Sequence, residues 1–240
     1  MNFPAALTRE REWSLCARSA SDVVSIFADR QYRQSEQVFI TYGPKSNSDL
    51  LLFYGFALSR NPFNSIELAV GVPESDPLFQ SKATAARRMS GKFSGAGADR
   101  TGVAWEKGPA FDPQDAPRAA FPIYADRFPE ELLAFLRMAV LKPDDAVKLG
   151  GSEALANRLT FDLKLSEGNE RDALLTIASA CESAIRRYDT TAEDDDKLLD
   201  DRRMMSVLGW NARMAIKVRR GEKVLLRKTA EISRARANLE

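Results

Sequence analysis

The segment from Glu36 to Leu68 constrains the fold of this chain most, because it places signals for a strand, a turn and a helix in close succession. Residues 38–41 are β-branched or aromatic, and such side chains suit a largely buried strand better than a helix. Ser46 and Asp49 have the spacing of a helix N-terminal cap, and Gly55 stands where a left-handed residue commonly ends a helix. We therefore predict a strand, a tyrosine-glycine turn and a short capped helix.

The second half of the chain carries apolar residues at helical spacing. Pro129 is suited to the first turn of a helix, and the leucines that follow it recur on one face. The segment from Trp210 to Leu239 predicts two helices interrupted near Gly221, with basic residues on the outer face. The strongest periodic face after residue 172 predicts a core helix and comprises Leu174, Ile177, Cys181, Ala184, Ile185 and Tyr188.

An acidic cluster follows this core helix and admits two interpretations. Thr191 and Asp194 have the spacing to cap the next helix, and the negative charges of Glu193, Asp195 and Asp196 suit a helix start, where the helix dipole favours them. The same carboxylates could instead form a docking surface for a basic substrate. The capping interpretation is favoured, because charge runs at helix starts are usually solvated.

The segment 81–115 is rich in Gly, Ala, Arg and Lys and shows little sustained apolar periodicity, so it predicts helical pieces joined by a loop. Gly91, Gly95 and Gly97 suggest a phosphate-binding loop at first sight. A hydrophobic strand does not lead into them, however, and the lysine spacing of a phosphate-binding loop is missing. The loop interpretation is therefore favoured.

Composition excludes few classes of function but agrees with a folded core, since 44% of the 240 residues are apolar. A net charge of +1 gives no global reason to expect a nucleic-acid or membrane partner, and no apolar run has the length of a membrane span. Cys16 and Cys181 lie far apart without metal-ligand spacing, so we expect no metal site and reduced, intracellular thiols, with Cys181 in the core. Cytoplasm, nucleus and chloroplast all stay open as compartments.

Several strings of residues match one known family in order along the chain. The segment around the predicted strand and helix resembles the C-terminal half of the SET domain in the Rubisco large-subunit methyltransferase family, which includes actin-histidine and other non-histone protein methyltransferases. The later segments resemble the all-helical substrate-binding domain of that family. The matching residues are Gln37 to Gly43, Lys45 to Asn47, Asp49 to Leu51, Tyr54 to Phe56, Asn61-Pro62, Leu132 to Arg137, Tyr188 to Glu193, Ala215 to Lys217 and Arg220 to Lys223.

The resemblance implies an α+β fold in two domains. Residues 1–72 would be the C-terminal, β-rich part of a SET domain, and residues 73–240 an all-α substrate-binding domain. Complete members carry a Gly-rich segment and an Asn-His pair upstream that hold S-adenosylmethionine. This chain contains no histidine, so the Asn-His pair is missing, and the chain resembles the C-terminal portion of such an enzyme.

The resemblance also implies roles for three aromatic residues. Tyr42 corresponds to the catalytic tyrosine at the end of the lysine channel, Tyr54 to a second channel tyrosine that contacts the substrate, and Phe56 to a ring that packs against the adenine of S-adenosylmethionine. Judged on the residues alone, Tyr42 is better explained as a buried tyrosine that ends a strand, and Tyr54 and Phe56 are equally well explained as core aromatics around a short helix. Lys45 and Asn47, in the turn after Tyr42, suit a substrate contact or a plain surface loop, and no role is assigned to them.

Three functional hypotheses follow. The first is a SET-type, S-adenosylmethionine-dependent N-methyltransferase that acts, without a metal, on a lysine or less readily a histidine of another protein bound by the helical domain. The second is a non-catalytic protein-binding module derived from such an enzyme. The third is nucleic-acid binding by the basic C-terminal helix, which the near-neutral charge disfavours and which would involve Arg213, Lys217, Arg219, Arg220, Lys223, Arg227 and Lys228.

Overall fold

The computed structural model describes residues 30–38, 42–93, 110–111, 118–124, 126–158 and 160–239. The chain divides into two compact units, Met1–Thr41 and Tyr42–Glu240, which are described separately. In the first unit, residues 30–38 form a turn closed by the Arg30–Glu36 ion pair. Val38 is exposed and belongs to no strand, and the other residues of the predicted strand, 39–41, lie outside the described residues.

The described part of the second unit contains helices and a small sheet, which confirms the predicted α+β class. In the described part of the chain the strands all lie before residue 125, and the later elements are all helices. In chain order the elements are α1 (Asn47–Tyr54), β1 (Ser65–Gly71), α2 (Phe79–Phe93), β2 (Ala110–Phe111), β3 (Arg118–Tyr124), α3 (Glu130–Ala139), α4 (Pro143–Lys148), α5 (Gly151–Asn157), α6 (Glu167–Ile185), α7 (Ala192–Asp200), α8 (Arg202–Val207) and α9 (Trp210–Ala237).

The three strands form an antiparallel sheet in the order β1-β3-β2. The sequence did not indicate β3, because the strand contains a proline, Pro122, which lies opposite Glu67. A proline is tolerated in a strand where no ladder partner needs its N–H. Here β2 pairs only with Ala119 and Ala120, so β3 has a single described neighbour at Pro122. Strand β1, which lies before residue 72, pairs with strand β3, which lies after it. The domain boundary that the sequence places at residue 72 stays a prediction.

The sheet packs its inner face against the helices, and α3, α6 and α9 enclose one continuous apolar core. Leu68 and Phe121 enter this core from the sheet, and Phe135 and Ile177 enter it from the helices. Cys181 on α6 is fully buried, as predicted, and this burial raises the pKa of its thiol to about 12. In the described part of the chain, α9 and the other helices are too short or too polar to cross a membrane.

The helix that ends the chain corrects one prediction. The sequence predicted a break near Gly221, but α9 runs without interruption from Trp210 to Ala237. A glycine inside a helix costs only about 1 kcal/mol relative to alanine, which is small compared with burying a side chain such as Leu226. The packing of α9 along α6 and against α7 therefore outweighs the local preference of Gly221.

Candidate functional site

Three aromatic side chains predicted as site residues lie together at the C-terminal end of α1. The ring centroids of Tyr42 and Tyr54 are 4.2 Å apart at an interplanar angle of 38°. The ring of Phe56 lies 5.8 Å from that of Tyr42. Tyr42 is 45% exposed and Tyr54 is 42% exposed, so this aromatic cluster presents its phenols at the surface.

The caps of α1 bring the cluster together. Ser46 Oγ accepts a hydrogen bond from the backbone N–H of Asp49, which fixes the start of the helix. Gly55 adopts φ +75°, and its N–H donates to the carbonyl of Leu51. The left-handed residue reverses the chain, so Tyr54 before it and Phe56 after it lie on the same side as Tyr42. Both predicted caps of this helix are confirmed.

An asparagine cluster fixes the loop that follows the aromatic cluster. The side chain of Asn47 donates to the carbonyl of Leu58 at 3.0 Å and accepts from the N–H of Leu58 at 3.1 Å. Asn61 donates to Asn47 Oδ1 and to the carbonyl of Lys45, and Asn64 Oδ1 accepts from the N–H of Asn47. Asn47 is almost fully buried. Its contacts assign it to holding the loop, rather than to an exposed surface turn.

Helix α9, which is far from α1 in the sequence, packs against α1 and holds it in place. The indole N–H of Trp210 donates to the carbonyl of Gly55 at 2.7 Å. The hydroxyl of Ser48 donates to Glu222 Oε1 at 2.6 Å. Sequence reasoning missed Trp210 and Glu222, because no local pattern relates them to partners more than 150 residues away. An apolar contact between the same elements comprises Leu51, Ala57, Met214 and Val218.

The acidic cluster is a helix cap whose carboxylates pair with α9. Thr191 and Asp194 form a complete capping box, as predicted. Asp195 pairs with Arg219 and Lys223, Asp196 with Arg220, and Glu193 with Arg227. These ion pairs engage acids of the suggested docking surface and four of the seven basic residues of the suggested nucleic-acid surface. The ion pairs therefore weaken both the docking-surface interpretation and the nucleic-acid hypothesis.

The ion pairs shift the pKa of the carboxylates. Hydrogen bonds from the Arg227 guanidinium, and then from the backbone, lower the pKa of Glu193 to about 2. Burial acts to raise the pKa of Asp195, but the hydrogen bonds from Lys223 and Arg219 more than offset it, and the pKa is lowered. Both groups are therefore charged at neutral pH.

The aromatic cluster offers hydroxyl and ring chemistry. A phenol can donate and accept a hydrogen bond, and a ring face attracts a cation or stacks on a flat base. Within the described ranges, His, Cys, Asp and Glu do not group as metal ligands would. A shallow cavity of about 630 Å³ lies elsewhere, between β1 and α6, and is lined by residues that include Ala69, Gly71, Thr176 and Ser179.

Comparison with known proteins defines the class to which this fold belongs. The family model described as Rubisco LSMT substrate-binding matches residues 73–226. The chain therefore belongs to the Rubisco LSMT substrate-binding family.

Two similar proteins match a longer part of the chain than that family model does. The chain is 34% identical over 208 residues to the chloroplastic [fructose-bisphosphate aldolase]-lysine N-methyltransferase of Arabidopsis thaliana, covering 85% of this chain and 37% of that protein. It is 28% identical over 203 residues to the actin-histidine N-methyltransferase of Xenopus tropicalis, covering 83% of this chain and 30% of that protein. The chain thus spans 37% and 30% of the lengths of these two relatives.

Solved structures of LSMT align with this chain as well. The SET domain of LSMT bound to lysine and AdoHcy aligns with a TM-score of 0.61 at 29% identity, covering 85% of this chain and 40% of that one. Rubisco LSMT bound to AdoMet aligns with a TM-score of 0.59 at 28% identity, covering 85% of this chain and 42% of that one. Both neighbours are LSMT structures, one with lysine and AdoHcy bound and the other with AdoMet bound.

Proposed function

We propose that this chain is the C-terminal portion of a SET-type, S-adenosylmethionine-dependent protein N-methyltransferase that acts on a lysine of a non-histone protein. One observation carries the proposal: Tyr42, Tyr54 and Phe56 form one cluster with two partly exposed phenols. The relatives that share these segments methylate a lysine of fructose-bisphosphate aldolase or a histidine of actin, as their names state. A lysine target is favoured here, because the relative with 34% identity is a lysine methyltransferase.

The chemistry of methyl transfer suits the groups in this cluster. The reaction is an in-line displacement, so the protein must deliver an uncharged amine, align it with the methyl group and exclude water. The Tyr42 hydroxyl would accept a hydrogen bond from the amine and orient its lone pair, as the catalytic residue of the reaction. Tyr54, with its ring 4.2 Å from that of Tyr42, would form the adjacent wall of the lysine channel.

The cluster also fits part of the cofactor. S-adenosylmethionine, when bound, supplies the methyl group on a positively charged sulfur. The half-buried ring of Phe56 offers a flat apolar surface for an adenine, and the rings of Tyr42 and Tyr54 offer faces that attract a cation. The chain contains no histidine and therefore no Asn-His pair, so we propose that other sequence completes the cofactor pocket.

The protein substrate would bind to the helical part of the chain. The family model that matches residues 73–226 is described as substrate-binding, and the names of the relatives give a protein, fructose-bisphosphate aldolase or actin, as the substrate. Arg219, Arg220, Lys223 and Arg227 of α9 are paired with carboxylates of α7, so these charges are not open to a substrate. We expect the recognition of shape and backbone to matter more than a single charged patch.

A methyl-transfer assay on the protein from its own host tests the proposal. An antibody raised against the helical part of the chain would recover the untagged protein, whose intact mass is compared with 26.7 kDa. The recovered protein is incubated with tritiated S-adenosylmethionine and purified actin, aldolase or Rubisco. We expect a mass above 26.7 kDa and label on a lysine.

A matched pair of variants locates the chemistry. Tyr42→Phe removes the proposed orienting hydroxyl and should reduce the rate by about 10²-fold or more, the usual effect of losing one preorganised polar group. Tyr124→Phe removes a hydroxyl from β3 and should leave the rate unchanged. A fully active Tyr42→Phe protein would overturn the catalytic role. A recovered mass of 26.7 kDa, without saturable cofactor binding, would favour the non-catalytic protein-binding module instead.

A further inference from the structure

Glu222 on α9 connects two separate parts of the fold. Its Oε1 accepts a hydrogen bond from the hydroxyl of Ser48 in the first turn of α1, at 2.6 Å. Its Oε2 accepts a hydrogen bond from the hydroxyl of Tyr188, which follows α6, at 2.7 Å. One carboxylate thereby links the helix that leads to the aromatic cluster with the helical domain.

The chemistry of this contact makes it directional. An ionised carboxylate only accepts hydrogen bonds, so both hydroxyl protons must point towards Glu222. Short O–H···O contacts to a carboxylate are stronger than those between neutral groups. A glutamine of the same size has a single acceptor oxygen, and its NH₂ group would face a hydroxyl that has to turn round. Replacing Glu222 by its amide therefore reverses the direction of one hydrogen bond and removes the charge that strengthens both.

Tyr188 is itself held firmly as a donor. Burial, together with the hydrogen bond to Glu222, raises the pKa of its phenol, so the proton stays on the oxygen. Lys223 Nζ lies 5.2 Å from the centroid of the Tyr188 ring and is fixed in turn by Asp195. The Ser48 contact therefore ends on a rigid, fully bonded part of the protein rather than on a mobile surface side chain.

Helix α1 is attached to α9 at both of its ends. Glu222 holds Ser48 at the N-terminal end, and the indole of Trp210 holds the carbonyl of Gly55 at the C-terminal end. Together with the apolar contact of Leu51 against Met214 and Val218, these two hydrogen bonds set the angle of α1 against α9, and the loss of one of them would let that angle change. Pivoting would move Tyr54, on the last turn, relative to Tyr42, which precedes the helix.

We propose that Glu222 is a positioning residue for the aromatic cluster. Through Ser48 it sets the angle of α1, and so the distance between the rings of Tyr42 and Tyr54. Its relevance to catalysis rests on the function proposed above, but the geometric relationship does not. A contact on the helical domain near Tyr188 is thereby coupled to the arrangement of the proposed catalytic phenols.

Fluorine NMR of the full chain labelled with 3-fluorotyrosine tests the coupling without any activity assay. Tyr42→Phe and Tyr54→Phe assign two of the five tyrosine resonances. In Glu222→Gln we expect both resonances to shift by more than their linewidths, because the weakened contact lets α1 move and so changes the ring-current effect of each of the two neighbouring, tilted rings on the other. The resonance of Tyr124 in β3 should stay in place.

Three further variants make the test specific. Ser48→Ala should shift the same two resonances, and Ser48→Thr, which keeps a hydroxyl, should restore them. Adding Glu222→Gln to Ser48→Ala should shift them little further, since the two residues act through one contact. Arg227→Gln, which breaks an exposed ion pair on the same helix, should leave both resonances unmoved.

The outcomes separate this proposal from the proposed function. Unmoved Tyr42 and Tyr54 resonances in folded Glu222→Gln and Ser48→Ala proteins would overturn the positioning role. Should Glu222→Gln not fold, the milder Ser48→Ala decides. In the host-derived protein, the positioning role predicts a lower kcat with little change in KM for Ser48→Ala. A wild-type protein without methyl transfer would refute the proposed function, and the spectra would still decide the role of Glu222.

Discussion

Lys223 Nζ lies 2.7 Å from Asp195 Oδ2, and both side chains are almost completely buried. Lys223 also donates to Thr190 Oγ1, while the guanidinium of Arg219 contacts the other carboxylate oxygen of Asp195. A buried charge is tolerated when it is paired and its remaining hydrogen bonds are satisfied. This ion pair joins α7 to α9, and it lies next to the contacts that Glu222 makes.

We expect Asp195→Asn to destabilise the protein by about 3–5 kcal/mol, because it leaves Lys223 as an uncompensated buried charge. Asp196→Asn is the matched control, since the neighbouring carboxylate pairs with Arg220 at the surface. The control should cost at most about 1 kcal/mol. Urea unfolding of the two variants measures the difference, and equal losses of stability would contradict a special role for the buried pair.

The exposed ion pair between Glu193 and Arg227 predicts a dependence of stability on pH. The pKa of Glu193 in the folded protein is about 2, below its ordinary value of 4.5. The pair therefore stabilises the fold fully above pH 4.5, and this stabilisation is lost as the pH falls towards 2. The difference in unfolding free energy between wild type and Arg227→Gln should shrink over this range.

Salt provides the control for that experiment. Both side chains are about half exposed, so dissolved ions screen their attraction. Repeating the titration in 0.5 M salt, at which the Debye length is only about 4–5 Å, should reduce the difference at neutral pH. A difference that is independent of both pH and salt would show that Arg227 stabilises α9 by packing alone.

Local signals in the sequence predicted the ends of helices well. The caps of α1 at Ser46 and Gly55 and the capping box at Thr191 depend on residues within a few positions of one another. The apolar face of α6, including Cys181, follows from helical periodicity alone. Such features need no knowledge of the rest of the fold.

Contacts between distant segments decided the features that sequence reasoning missed. Strand β3 forms despite Pro122 because β1 pairs along its whole length. Helix α9 continues through Gly221 because α6 and α7 pack against it. The aromatic cluster was predictable as a group, since Tyr42, Tyr54 and Phe56 come from one short segment. Trp210 and Glu222 of α9, which hold this segment, could not be predicted from it, because they lie more than 150 residues away in the chain.

Gly221 provides a test of that explanation. A Cβ atom at this position would meet Asn64 Nδ2 at 3.5 Å, an ordinary van der Waals distance, so alanine fits without rearrangement. We expect Gly221→Ala to stabilise the protein by about 0.5–1 kcal/mol, because alanine loses less conformational entropy in a helix. Thermal unfolding measures the change. A loss of stability would mean that α9 needs a glycine at this point.

The asparagine cluster beside the aromatic residues predicts the largest effect of a small substitution in this region. Asn47→Ala removes the acceptor for the N–H of Leu58 and the donor to its carbonyl, and each backbone group left unsatisfied in a buried place costs about 1–3 kcal/mol. We expect a loss of about 3 kcal/mol in urea unfolding. Asn47→Asp should also destabilise, because a carboxylate cannot donate to that carbonyl.

Ser59→Ala, an exposed change in the same loop, should alter stability by less than about 0.5 kcal/mol. If Asn47→Ala resembled Ser59→Ala, the loop would be held by other contacts, and Asn47 would be free for the substrate contact left open by the sequence.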